Sequence, residues 1–394
     1  MEISTKRKLT LATCCGAHIV QDGLSAALYV LMPILAQSFG LNYAQIGMLR
    51  SLHSATMSLF EVPSGVLAER FGERRLLVFG LICAGLGYLW LSTATSIWVI
   101  AMSFLLIGTG GAFQHALTSS LISNNYHDAG RRSALGIYNS AGDAGKLIFT
   151  GLLGLATGIG IAWQSAVIFF GVVALLFALV LLYTLRHIKV GGGRASTSPE
   201  NTSVGPGGCG ILDRTGFSTL CLSVFIDTAV QSAFLVFIVF VIAEKGVSNQ
   251  LATFALILTL IGGMFGKAGC GYLAQRFGVR SSFALVQCAT AAGIIALLMS
   301  PALVAFILLP ILGMFLQGST SITYGSISDL IRSDRQSRGF ALLYSLAGLS
   351  AIVGPVTFGF ISDYSGLNTA MMAMAFISLL AIPPLMFLKP NLAR

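Results

Sequence analysis

A ten-residue phrase occurs twice in this chain, and its recurrence limits the possible folds more than any other feature. Residues 65–74 read GVLAERFGER and residues 271–280 read GYLAQRFGVR, an offset of 206 positions with seven identities. The same offset pairs Asp128 with Asp334, Arg132 with Arg338, Tyr138 with Tyr344, Ala141 with Ala347 and Gly142 with Gly348. A register kept over that distance marks two copies of one structural unit. Each copy of the phrase also lies between long apolar runs. Two parallel repeats made of such runs predict a secondary transporter with its substrate path between the halves.

Composition supports the membrane. Only 9% of the residues are charged against 55% hydrophobic, too few charges to keep the surface of a 394-residue soluble protein wet. The net charge of +9 would suggest nucleic acid in a soluble chain. Here all of the Lys and Arg except Arg50, Lys146, Lys245 and Lys267 fall in alternate loops or at the termini. That asymmetry orients a membrane chain and needs no nucleic-acid partner. The start, MEISTKRKLT, shows no cleavage site and predicts a retained first span anchored by Lys6, Arg7 and Lys8. Seven cysteines occur without CxxC or His–Cys spacing, so no disulfide, metal site or cofactor is expected.

At about 20 apolar residues per span, twelve helices are predicted. The first six cover 11–36, 45–68, 75–93, 97–122, 133–157 and 162–185. The second six cover 217–243, 251–273, 282–300, 302–326, 338–362 and 368–388. The expected fold is thus an all-α membrane protein with two pseudo-symmetric six-helix halves, 1–186 and 216–394. The Gly-, Ser- and Pro-rich stretch between them, 187–215, reads as a cytoplasmic linker. Basic connections at 69–75, 127–132, 276–280 and 332–338 place both termini in the cytoplasm, with the chain multi-pass in the inner (plasma) membrane.

Two six-helix halves, a central loop and the repeated G-x-L-A-x-R-F-G-x-R phrase resemble the major facilitator superfamily over essentially the whole chain. The resemblance implies a cytoplasmic gate at the phrase. Gly65 would allow close helix packing, and Glu69 would pair with arginine and a helix end, with Arg70, Arg74, Arg132 and Arg276 around it. Gln275 replaces the acid in the second copy, and the arginines also serve as topology determinants. Glu61 and Lys267, opposite charges near the equivalent ends of spans 2 and 8, suggest an interhalf salt bridge or plain interface anchors. More locally, GAHIVQDGLSAALYVLMPILAQSFGLNYAQIGML and GTGGAFQHALTSSL resemble the fosmidomycin-resistance branch, whose members export drugs driven by proton entry. One departure stands out. Span 5 has Phe149-Thr150 where proton antiporters carry Gly-Pro, and a Gly-Pro falls instead at Gly354-Pro355 in span 11.

An ionisable group inside a bilayer is costly unless paired or wet, and is a functional candidate by default. His18 and Asp22 are four apart on span 1, and Asp143 and Lys146 three apart on span 5, so each pair shares a face. His115 comes late in span 4 beside Gln114, and Asp227 on span 7 has Gln231 one turn on. At 1.5 Å per residue, all lie roughly 10–20 Å from the cytoplasmic end. Under the 206 offset His18 meets Val224, His115 Ser321, Asp143 Leu349 and Lys146 Ile352, so the charge belongs to the N-terminal half. We expect Asp22, His18 and Asp143 to carry protons. His115, Lys146, Gln114, Asp227, Gln231 and Arg50 are the expected substrate contacts. The rival readings are structural: satisfied polar contacts for the histidines and Asp22, mutual neutralisation for Asp143 and Lys146, and snorkelling for Arg50.

No P-loop, nucleophile–base arrangement or filter-like loop is present, which argues against an ATPase, an enzyme or a channel. The expected function is proton-coupled export of a small drug-like or toxic molecule by alternating access, with substrate, protons and lipid as partners and a monomer as the unit. Proton symport of a small organic anion is the first alternative. A non-transporting sensor on the same fold is the second.

Overall fold

The computed structural model describes residues 3–126, 128–192, 211–326, 330–331 and 336–388. Most of the expected linker, and the side chains of Glu69 and Arg132, lie outside the described residues. The first seven helices are α1 (Ile3–Phe39), α2 (Tyr43–Phe71), α3 (Glu73–Leu91), α4 (Ile97–Ala112), α5 (His115–Asn125), α6 (Asp128–Gly158) and α7 (Trp163–His187). The other seven are α8 (Arg214–Glu244), α9 (Asn249–Phe277), α10 (Val279–Met299), α11 (Ala302–Ser326), α12 (Gln336–Ser365), α13 (Leu367–Leu379) and α14 (Ile382–Leu385). Two expected spans are broken. Span 4 becomes α4 and α5 with a turn at Phe113 and Gln114, and span 12 becomes α13 and α14, the latter opening on prolines. Counting each broken pair once gives twelve traverses of a multi-pass membrane protein.

Ten of these traverses are long and apolar enough to cross a membrane. The two that fall short are α2 and α6, which carry Arg50, His53 and Glu61, and Asp143 and Lys146. These two traverses therefore carry part of the candidate chemistry, while Asp22, His18, His115 and Asp227 lie on traverses apolar enough to cross. Elsewhere apolar side chains face outward, as at Leu176, Leu179, Val180 and Tyr183 on α7. Only a lipid solvent makes such a face stable.

The duplication is visible in the backbone. Positive-φ glycines recur at the same offset of 206: Gly40 and Gly246, Gly72 and Gly278, Gly160 and Gly366. Gly72 and Gly278 stand at the N-cap of α3 and α10 with φ 80° each, a conformation that glycine adopts without steric cost. After them the chain turns directly into the next helix.

The chain divides into two compact units, residues 1–34 with 52–204, and residues 35–51 with 205–394. In the first, α3 packs on α4 and α7, with Gly80 against Gly110 and Gly85 against Gly171. In the second, α9 packs on α11, where a side chain on Gly262, Gly266 or Gly313 would run into the facing backbone. Small residues let membrane helices approach closely where no hydrophobic drive separates helix from lipid. Residues 35–51 join the second unit through polar contacts. Asp363 accepts from the amides of Tyr43 and Ala44 at 2.8 Å each, and the Tyr43 hydroxyl donates to Glu244 at 3.0 Å. Lys245, the loop cation that broke the charge asymmetry, donates to the carbonyls of Leu298 and Ser300 at the end of α10. Its charge answers a helix C-terminus.

Candidate functional site

The first unit gathers five ionisable side chains from three traverses around one carboxylate. Asp22, on α1, has three nitrogens near it: Lys146 Nζ at 3.2 Å, His18 Nε2 at 3.3 Å and His115 Nε2 at 3.6 Å. Lys146 also donates to Asp143 Oδ1 at 2.9 Å, so one ammonium bridges two carboxylates. The neutralising pair expected within span 5 is real, but it is not self-contained.

Local sequence explains the convergence. Gly142 and Gly145 on α6 face α1, and a Cβ at Gly142 would overlap the His18 ring while one at Gly145 would meet the Ile19 backbone. These two glycines bring α6 close enough for Lys146 to reach Asp22. His115 arrives by another route. The helix breaks after Ala112, and His115 is the first residue of α5. Gln114, at the break, is 2% exposed.

His18 reports where protons sit. Its Nδ1 lies 2.8 Å from the Tyr138 backbone carbonyl, which can only accept, so Nδ1 carries a hydrogen. In a neutral ring Nε2 would then present a lone pair to Asp22 Oδ2 at 3.3 Å, acceptor against acceptor. A proton bound at this contact would join the two groups, and Lys146 reaches the same oxygen at 3.2 Å. The imidazole is fixed in place by stacking on the Tyr138 ring at 4.0 Å and by an edge contact with His115 at 5.1 Å. The Tyr138 and Thr118 hydroxyls are 2.5 Å apart. Beside them Gln21, 1% exposed, has no hydrogen-bond partner for its amide among the described residues.

Ligand atoms of His18, Asp22 and His115 lie within 4.8 Å of one another, a spacing open to a metal ion as well as to a proton. The Lys146 ammonium beside the same carboxylate opposes a second, doubly charged cation there.

Asp227 and Gln231 belong to the second unit, where they have a network of their own. Gln287 Nε2 donates to Asp227 Oδ1 at 2.6 Å and Ser319 Oγ to Oδ2 at 2.7 Å. Gln231 Nε2 donates to the Leu316 carbonyl at 2.6 Å. Arg50, also of the second unit, is half-buried on α2.

At the repeated phrase Gly65 is exposed, and a Cβ there would meet none of the described atoms within 4 Å. Arg70 and Arg276 are exposed, each with its guanidinium 5.4 Å from the following phenylalanine ring. Arg74 is tied to the end of α7: its amide donates to the Gly191 carbonyl and Nη1 to that of Leu185. Glu61 and Lys267 are half-buried, one in each unit. Among the described residues of the phrase, Glu73 is a buried acid, 4% exposed and accepting from Ser120 at 3.2 Å. Sequence reasoning assigned it no role, as it did Tyr138, Thr118, Gln287 and Ser319. A glutamine inside the apolar span 9 was the available signal for Gln287.

Comparison with known proteins agrees with this architecture. The Major Facilitator Superfamily model matches residues 14–211 and 220–393. The uncharacterized MFS-type transporter YfnC of Bacillus subtilis (strain 168) is 27% identical over 391 residues, 95% of this chain and 91% of that protein. The class G tetracycline resistance protein of Vibrio anguillarum is 32% identical over 148 residues, 36% of this chain and 37% of its own length. The hexuronate transporter of Bacillus subtilis (strain 168) is 22% identical over 360 residues, 86% and 84% of the two chains. Among solved structures, a bacterial homologue of the human lysosomal transporter Spinster aligns with TM-score 0.82 at 17% identity over 96% of each chain.

Proposed function

The chain belongs to the major facilitator superfamily, and from that premise we propose that it exports a small drug-like or toxic molecule by proton antiport. It is a membrane transporter and not an enzyme. The observation that supports a proton site is the His18–Asp22 pair, with Nδ1 anchored on the Tyr138 carbonyl and Nε2 facing Oδ2 at 3.3 Å. In this mechanism Asp22 holds the proton with His18. Lys146 moves its bond between Asp22 and Asp143 as that proton comes and goes, so no carboxylate is left without a partner. His115, whose side chain is 36% exposed, and Gln114 meet the substrate. Halves that alternate in access complete the cycle. Within the superfamily, the similarity to tetracycline resistance proteins supports export. So does the likeness of span 1 and span 4 to the fosmidomycin-resistance branch. An inner gate using Glu61, Glu69, Lys267 and the phrase arginines, a monomeric unit, placement in the inner membrane and cytoplasmic termini belong to the same proposal.

Proton symport of an organic anion is the alternative, favoured by the ammonium of Lys146 at the centre of the cluster and by the hexuronate transporter among the relatives. Energised inside-out vesicles separate the two. Compounds of each charge class, tetracycline and a hexuronate among them, are added while lumenal pH is followed. Antiport predicts compound-dependent proton release from the lumen that disappears in Asp22→Asn. Proton co-entry with a hexuronate into right-side-out vesicles, with no release in the first format, would favour uptake. A fully proton-coupled Asp22→Asn protein would remove Asp22 from the mechanism.

A further inference from the structure

The second unit holds a carboxylate that, among the described residues, is met by neutral donors and not by a cation. Asp227 on α8 is 3% exposed, and its two partners, Gln287 on α10 and Ser319 on α11, are 1% exposed. Each partner is neutral and each gives one hydrogen bond, Gln287 to Oδ1 and Ser319 to Oδ2. Among the described side chains, the titratable groups on the surrounding helices are Lys267, Cys270, Tyr272 and Arg276 on α9, Arg280 and Cys288 on α10, and Asp363 and Tyr364 on α12. On α8 itself they are Arg214, Cys221 and Glu244, with Lys245 at its C-cap. The hydrogen bonds of Asp227 go to none of these, α13 and α14 have no titratable residue, and the side chains of Tyr324, Arg338 and Tyr344 lie outside the described residues. A buried carboxylate without a counter-ion is costly as an anion and much less so as an acid.

The hydrogen bonds fit both forms. Ser319 Oγ has a second acceptor, the Leu316 carbonyl at 3.2 Å, which it shares with the Gln231 amide, and Gln231 Nε2 also lies 3.4 Å from Ser319 Oγ. With Asp227 ionised, the Ser319 hydrogen points at Oδ2. When a proton from water binds Oδ2, the new acid O–H donates to Ser319 Oγ and the Ser319 hydrogen turns to Leu316. Gln287 goes on donating to Oδ1. Each Asp227 oxygen keeps a hydrogen bond before and after, and no heavy atom has to move. An aspartate with a purely structural role would need only the first arrangement.

We infer that Asp227 is a second proton-binding site of this transporter, separate from Asp22, with Ser319 as the hydroxyl that reorients to accept the bound proton. The site stands whether or not Asp22 couples transport, and with both carboxyls titrating the cycle carries two protons.

Infrared difference spectra of the purified full chain in lipid nanodiscs, recorded between alkaline and acid pH, test this without a known substrate. A discrete carboxylic-acid C=O component is expected on acidification, sensitive to deuterium. It is lost in Asp227→Asn and kept in Asp22→Asn. In Ser319→Ala, which keeps the carboxyl and removes the acceptor of its proton, the component moves in frequency. The same component lost in Asp22→Asn but kept in Asp227→Asn would overturn this inference while supporting the first site. Absence of the component from the wild type, or its persistence unmoved in both Asp227→Asn and Ser319→Ala, would also overturn it. If Asp227→Asn does not fold, the Ser319→Ala spectrum decides alone.

Discussion

Each unit buries an aspartate on a repeat-related helix, yet the two are answered by different chemistry. Asp22 on α1 sits among an ammonium and two imidazoles, whereas Asp227 on α8 has only an amide and a hydroxyl. Under the offset of 206, Asp227 pairs not with Asp22 but with Gln21. One residue along a helix is a rotation of about 100°, so the two carboxylates leave their helices in different directions. The positions matching Ser319 and Gln287 are Phe113 and Leu81, both apolar and therefore unable to serve a charge at Gln21. Duplication supplied one scaffold, and a one-position shift of the acid produced two electrostatic designs. One is a charge-balanced ion cluster, the other a neutral cradle.

The contrast can be broken by substitutions that act on charge in one unit and on hydrogen bonds in the other. Lys146→Met should have the largest effect, destabilising the protein by about 3–5 kcal/mol because the buried Asp22 and the half-buried Asp143 lose their shared cation. Thermal unfolding of the purified protein measures it, and a loss below about 1 kcal/mol would mean that charge does not hold the first cluster. Gly142→Ala follows at about 1–3 kcal/mol, since the new methyl must displace the His18 ring. Unchanged stability together with unchanged proton release would show that the ring position is not essential. Gln287→Leu should cost about 1–3 kcal/mol by leaving Oδ1 without a donor, and the cost should shrink at acid pH, where the carboxyl takes up a proton. A cost independent of pH would indicate lost packing alone. Asp227→Asn should be the mildest, within about 1 kcal/mol, because the amide can accept from Gln287 and donate to Ser319. A loss as large as that of Lys146→Met would place an unrecognised charge partner in the second unit and erase the comparison.

Much of the architecture was legible because the repeat and the apolar runs are properties of the chain itself. The turn glycines at 40, 72 and 160 recur at 246, 278 and 366 for the same reason. The Asp143–Lys146 contact was also legible, since helical spacing decides it. The reach of Lys146 to Asp22 was not, because it depends on how closely α6 approaches α1 at Gly142 and Gly145. The break at Phe113 and Gln114 was hidden inside a continuous apolar run, where paired glycines are only a weak signal. Ser319 looked ordinary because serines in membrane helices commonly bond back to their own helix, as this one also does to Leu316. At the repeated phrase, placing the functional acid at Glu69 drew attention from Glu73, which the fold of α3 buries.

The contact between Asp363 and the start of α2 has a consequence for how the chain is made. The amides of Tyr43 and Ala44 find their acceptor 320 and 319 positions later. In a chain threaded into the bilayer from its N-terminus, the second helix is synthesised almost at once, and Asn42 caps the Gln45 amide locally. The amides of Tyr43 and Ala44 gain their carboxylate acceptor only when the eleventh traverse emerges. Closure of the start of α2 is thus tied to near-completion of the chain.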